Sequence, residues 1–148
     1  MFRHILLAAD GEDHSLLAIE LCLKIAREFG SSVTAIHVLD PYLKQFYNEI
    51  YAQGRREYLR YVDACLVSCA DELESSLVDI FQELPSFSFI RAYGDPEKEI
   101  IRHLHSGSYD LLITGGKVLS GIKRITSWNL PTRLEMKSPG IPVLVCRK

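Results

Sequence analysis

Apolar and polar positions along this chain switch repeatedly between two spacings. "HILLAA", residues 4–9, is an unbroken apolar run that closes at Asp10-Gly11. From His14 onward, Ala18, Leu21, Cys22, Ile25 and Phe29 recur at steps of three and four, and Gly30 stops the pattern. That spacing predicts an amphipathic helix. "SVTAIHVL", residues 32–39, is rich in β-branched residues and predicts a second buried strand, followed by Pro41. The long block over 42–84 carries a helical stripe at Tyr58, Val62, Cys65, Cys69, Leu73, Leu77, Phe81 and Leu84. Its first part, before Gly54, reads either as a separate short helix or as an arm. "FSFIRAY", residues 87–93, predicts a third strand. Asp95-Pro96-Glu97 then opens a helix: aspartate caps, proline suits the first helical position, and glutamate complements the positive end. Ile100, Ile101 and Leu104 form its apolar face. "DLLITG", residues 110–115, is a fourth strand broken at Gly115-Gly116. A helix is predicted from about residue 128 or 129 to Lys137, and "IPVLVC", residues 141–146, is a fifth strand.

Nearly all-apolar strands separated by amphipathic helices indicate a parallel sheet covered on both faces. No repeat, low-complexity tract or linker interrupts the 148 residues, so the expectation is one open doubly wound α/β domain over residues 1–148. Hydrophobic residues make up 47% and charged residues 24%, which suits a globular core with a solvated surface. A net charge of −2 offers no electrostatic basis for a nucleic-acid or membrane-surface partner. No apolar stretch approaches the roughly 18 residues that span a bilayer. The opening segment turns acidic and polar after one short apolar run, so no export signal and a cytoplasmic location are expected. The four cysteines form no CxxC, and their apolar surroundings predict small buried residues in a reducing compartment. Cys65 and Cys69 lie one helical turn apart, but two thiols do not close a zinc site.

In open α/β sheets a ligand sits beyond the carboxyl ends of the strands, where strand order reverses. Three strand ends carry candidates: Asp10-Gly11, His37 to Asp40, and Gly115-Gly116. After the last of these come Lys117, Ser120, Gly121, Lys123 and Arg124, a composition that suits an anion. Blander roles stand beside each. Asp10 serves equally as a helix cap, the three basic residues as a solvated loop face, Trp128 as packing, and His37 as a hydrogen-bonded core residue. Tyr47, Tyr51, Tyr58 and Tyr61 fit one helical face and suggest packing or an interface. The remaining histidines have no metal-ligand spacing with nearby carboxylates. No GxSxG elbow, GxxxxGK[ST] loop or GxGxxG fingerprint is present, so no enzymatic activity is expected. A nucleotide hydrolase would need a metal-binding carboxylate, and only Asp10 and Asp40 are suitably placed.

Five short stretches in order resemble the universal stress protein family: "ILLAADGEDHSLLAIELCLKIA", "HVLDP", "GDPEKEII", "YDLLITGG" with "SGIKR", and the closing "PVLVC". The similarity spans nearly the whole chain except the 42–84 block. It implies a five-stranded parallel sheet ordered 3-2-1-4-5, of the adenine nucleotide alpha hydrolase-like kind. It also implies a cytoplasmic, stress-linked protein that dimerises through its last strand, here Pro142 to Cys146. By the same resemblance Asp10 meets the adenine-ribose end of a nucleotide, Val38 lines the base pocket by its backbone, and Ser120 stands near phosphate. Gly115, Gly116, Gly121 and Asn129 complete the expected contact set, with ATP or AMP, and magnesium, as candidate ligands.

ATP-binding members resemble one another in a pattern of glycine, two residues, glycine, nine residues, glycine, then serine or threonine. Here the positions read Gly115, Val118, Trp128 and Asn129, so only the first glycine is kept. Valine resists the positive φ that a phosphate loop asks of glycine, and the indole of Trp128 has the volume to fill a phosphate position. Asn129 keeps a capping side chain. Two functions follow as expectations: a homodimeric regulatory protein without tight ATP binding, or an adenine-nucleotide sensor with an altered phosphate loop. The apolar terminal strand supports self-pairing in either case, because an edge strand exposes unpaired backbone groups.

Overall fold

The computed structural model describes residues 2–9, 16–39, 55–116 and 140–147, and all five expected strands form within them. They are β1 His4–Ala8, β2 Ser32–Leu39, β3 Phe87–Tyr93, β4 Leu111–Gly116 and β5 Val143–Arg147. Among the described residues, three helices lie between them: α1 Leu16–Phe29, α2 Arg55–Ile80 and α3 Pro96–Ser106. The sheet order is β3-β2-β1-β4-β5, with every pair parallel, as the family resemblance implies. Parallel crossovers are right-handed, so reversing the direction of travel after β3 must place the next helix on the opposite face. Two separate cores record this. Ile5, Leu7, Val33, Ala35, Leu111 and Ile113 pack with α1 and α2, whereas Leu6, Ile36, Ala92 and Leu112 pack with Ile100 and Leu104 of α3.

The helices show where periodicity alone misplaced a face. On α1 the buried positions are Ala18, Ile19, Cys22 and Ala26. Leu21 and Ile25 only flank that seam, and Phe29 is 47% exposed, in edge-to-face contact with Phe2. Small residues at four-residue steps let the helix lie close on the sheet, an outcome that favours size over hydrophobicity. The helix ends as expected: Gly30 takes φ +64°, and the Ser31 amide bonds back to the Ala26 carbonyl at 2.9 Å.

Along α2 and the residue directly after it, the buried seam is Leu66, Ala70, Leu73, Leu77 and Phe81. Cys65 is intermediate and Cys69 exposed, so the expected stripe ran one position early in its first half, and two of the four cysteines are not buried. Leu73, Leu77 and Phe81 are as expected; the side chains of Tyr58, Tyr61 and Val62, and all of residues 42–54, lie outside the described residues. Arg91 on β3 pins α2 to the sheet edge through Asp71 and Glu74, at 2.7 and 2.8 Å. The start of α3 is capped as predicted, with the Lys98 amide donating to the Asp95 carboxylate at 3.0 Å. Ile100 and Leu104 are buried and Ile101 half-buried at its edge.

At the amino edge of the sheet, Asp110 sets the register between β1 and β4. Its carboxylate accepts from the Arg3 and His4 amides at 2.7 and 3.1 Å, and its own amide donates to the His4 carbonyl at 3.0 Å. Asp110→Ala removes a charged acceptor from two backbone donors. It is expected to lower unfolding free energy by about 1–3 kcal/mol in urea titration, with Asp110→Asn losing less.

Candidate functional site

The three central strands end at different heights, a step termed here the notch. β1 pairing stops at Ala8, opposite Ile36 on one side and Thr114 on the other. β2 continues to Leu39, paired with Tyr93, and β4 continues to Gly116, paired with Arg147. The short strand therefore lies between two longer ones where strand order reverses, the place a doubly wound sheet offers a ligand. Val38 and Leu39 stand on one side of the notch and Gly115 and Gly116 on the other. The strand expected to end at Gly115 runs one residue further, so that Gly115 and Gly116 close β4 in register with Cys146 and Arg147. Without side chains they leave that wall as bare backbone, which suits close approach by a ligand.

The floor of the notch is held from both sides of one residue. The Ala9 amide donates to the Ile36 carbonyl at 3.0 Å, and the Ala9 carbonyl lies 2.9 Å from His37 Nδ1. His37 is 7% exposed and Ala9 5%. The expected hydrogen-bonded core histidine is thus observed, with its partner now identified. On the other side, the Thr114 hydroxyl, buried opposite Ala8, donates to the Gly115 carbonyl at 3.2 Å.

Of the residues singled out in the sequence, Val38, Gly115 and Gly116 are brought to this notch. Asp10, Ser120, Gly121 and Asn129 lie outside the described residues, as do Lys117, Val118, Lys123, Arg124, Trp128, Asp40 and the helix expected up to Lys137. Sequence reasoning passed over Thr114, whose alternating position in β4 was its one signal. It also passed over the burial of Glu97, which is 4% exposed in the first turn of α3, where the helix dipole favours a carboxylate.

Among the described residues, no three His, Cys, Asp or Glu side chains gather as a metal site, and no helix is long and apolar enough to cross a membrane. Two thiols lie near the β5 side of the sheet core. Burial, with the neighbouring Cys146 adding to it, pushes the Cys22 thiol up to about 12, and burial also raises Cys146. In both, burial disfavours the thiolate, the nucleophilic form.

A parallel sheet of this order, with its notch at the reversal and a glycine wall beside it, defines a Rossmann-like doubly wound α/β protein. Comparison with known proteins places it further. The family model of the universal stress protein family matches residues 1–147, and the chain belongs to that family. A universal stress protein of Methanocaldococcus jannaschii is 24% identical over 157 aligned positions, covering 100% of this chain and 84% of the relative. The solved universal stress protein UspA from Lactobacillus plantarum superposes with a TM-score of 0.74 at 18% identity, covering 99% of this chain and 98% of that one. A universal stress protein family member from Arabidopsis thaliana, solved with AMP bound, gives 0.67 at 14% identity, covering 98% and 91%.

Proposed function

We propose that this chain is a regulatory, non-catalytic stress protein of the cytoplasm, a single domain over residues 1–148, whose notch takes an adenine mononucleotide in preference to ATP. The observation that carries the reading is the notch itself: a short β1 between Val38 on β2 and the bare backbone of Gly115 and Gly116 on β4. The Arabidopsis thaliana relative is solved with AMP, and other solved family members are complexes with cAMP and dAMP. These are monophosphates, which do not need the full phosphate loop. Asp10 and Val38 are assigned to the nucleoside end. Gly115, Gly116, Ser120, Gly121 and Asn129 are assigned to the phosphate end. Val118 and Trp128 stand where ATP-binding members have glycine, and their bulk disfavours the β- and γ-phosphates and the magnesium that accompanies them.

The same reading includes a homodimer. β5 ends the sheet on one side, and Val143, Leu144 and Val145 are only partly buried in the single chain. Pairing Pro142 to Cys146 with a second copy would satisfy that edge and cover its apolar side chains.

Isothermal titration with AMP and ATP, with and without magnesium, tests the ligand. AMP is expected to bind with a Kd on the order of micromolar, and ATP at least about tenfold more weakly. A Val118→Gly, Trp128→Gly double variant is expected to regain ATP. Tighter binding of ATP than AMP by the native chain would sink the proposal. No nucleotide binding at all would leave a protein acting through protein contacts or a small anion.

A further inference from the structure

We infer that His37 is a positioning residue for the nucleotide notch: its buried ring anchors the Ala9 carbonyl and so sets the peptide from which Asp10 extends. The inference rests on the adenine-nucleotide reading of the notch and adds a residue to it.

The carbonyl can only accept, so His37 Nδ1 donates in the 2.9 Å bond. A peptide group is planar, so the Ala9 carbonyl and the Asp10 amide share one rigid plane. That matters at this residue because its amide makes the last bond of the ladder to β2, and the pairing of β1 goes no further than Ala8. The Ala9 amide is tied to Ile36 at 3.0 Å, and the His37 ring ties the other end of the residue. Both bonds come from β2, whose next residue, Val38, stands beside the notch. One strand thus positions both sides of the nucleoside end.

The identity of the side chain supports a directed role. His37 shares its face of β2 with Val33, Ala35 and Leu39, all apolar and buried. A side chain needed only to fill that row would be apolar too, since burying an imidazole requires a partner for its polar atoms. In register beside it, Arg91 is turned to Asp71 and Glu74 on α2 and so is engaged elsewhere.

Three variants test the inference, each measured for AMP affinity, melting temperature and amide hydrogen exchange. His37→Phe keeps a ring and removes the donor. His37→Asn returns an amide donor near the place of Nδ1, and His37→Gln puts one near the place of Nε2. AMP binding is expected to weaken about tenfold in the Phe and Gln variants and to stay within about threefold in Asn. In the ligand-free protein, exchange of the Ala9 amide is expected to quicken about tenfold in Phe and Gln, while β3 and β5 amides keep native rates. Should the Phe variant fail to fold, the contrast between Asn and Gln decides. Native AMP affinity in Phe and Gln would overturn the inference, as would losses that merely follow melting temperature with Asn no better than Gln. Should the native protein bind no AMP, the nucleotide reading fails on its own. The exchange data then decide the anchor, local acceleration at Ala9 supporting it and uniform or absent acceleration overturning it.

Discussion

Phe81→Ala is expected to lower the unfolding free energy by about 3–5 kcal/mol, a large part of the roughly 5–15 kcal/mol that stabilises a domain. Phe81 is fully buried and follows directly on the last turn of α2. Its ring stacks on Phe87 of β3, with centroids 5.0 Å apart and planes 15° from parallel. The Phe81 amide closes the helix on the Leu77 carbonyl at 2.9 Å, and the Leu84 amide donates to the Phe81 carbonyl at 3.1 Å. Phe81 therefore joins the end of α2 to the start of the edge strand. Truncation loses the transfer energy of the ring and leaves a cavity that a turn tied at both sides is poorly able to collapse. Urea unfolding measures the effect as a lower midpoint at unchanged slope. Val78→Ala, on the same helix but 48% exposed, is the control, with a change of about 0.5 kcal/mol or less. A cost below about 1 kcal/mol for Phe81→Ala would refute this packing.

Alkaline conditions are expected to destabilise the protein through Cys22. In the unfolded chain this thiol titrates near its ordinary value of 9.0, whereas burial holds it up to about 12 in the native state. The native state thus keeps a proton that the unfolded state releases. Stability is fully present below pH 9 and is lost as pH rises towards 12. Each pH unit between those limits removes about 1.4 kcal/mol, so the full window corresponds to about 4 kcal/mol, as an upper bound for one group. The measurement compares native protein with Cys22→Ala by urea unfolding from pH 8 to 11. Subtraction removes the titration of other groups. The alanine variant is expected to start lower at pH 8, having lost a buried sulfur, and to fall less steeply above pH 9. Equal slopes would show that Cys22 does not titrate across this window.

The strands were legible in the chain because each is a local event. "SVTAIHVL" is apolar at nearly every position since both faces of its strand are covered, and β2 spans those residues. The capped start of α3 was legible for a similar reason: Asp95, Pro96 and the Lys98 amide are neighbours in sequence. The helix faces were harder. Cys65 and Leu66 are adjacent, as are Cys69 and Ala70, and a period of 3.6 does not choose between two neighbouring stripes of comparable size. Contact with the sheet chooses, and it turned Leu66 and Ala70 inward.

At the candidate site the division is similar. Val38, Gly115 and Gly116 could be marked because they lie where apolar runs end, and the resemblance to the universal stress protein family implied a shared place for them. Gly115 fell within the expected strand, but nothing local carried it on to Gly116, since glycine weakens a strand by propensity and pairing with Arg147 holds it there.

By itself, then, the amino-acid order determined the five strands, the capped helix after β3 and the parallel α/β class, because burial pattern and capping are read over a few consecutive residues. The tertiary structure alone decided which helix faces are buried, how far each strand outruns β1, and that His37 meets Ala9 across 28 positions of chain. Those outcomes depend on which strands become neighbours and in what register, and that choice is made by packing between segments distant in sequence.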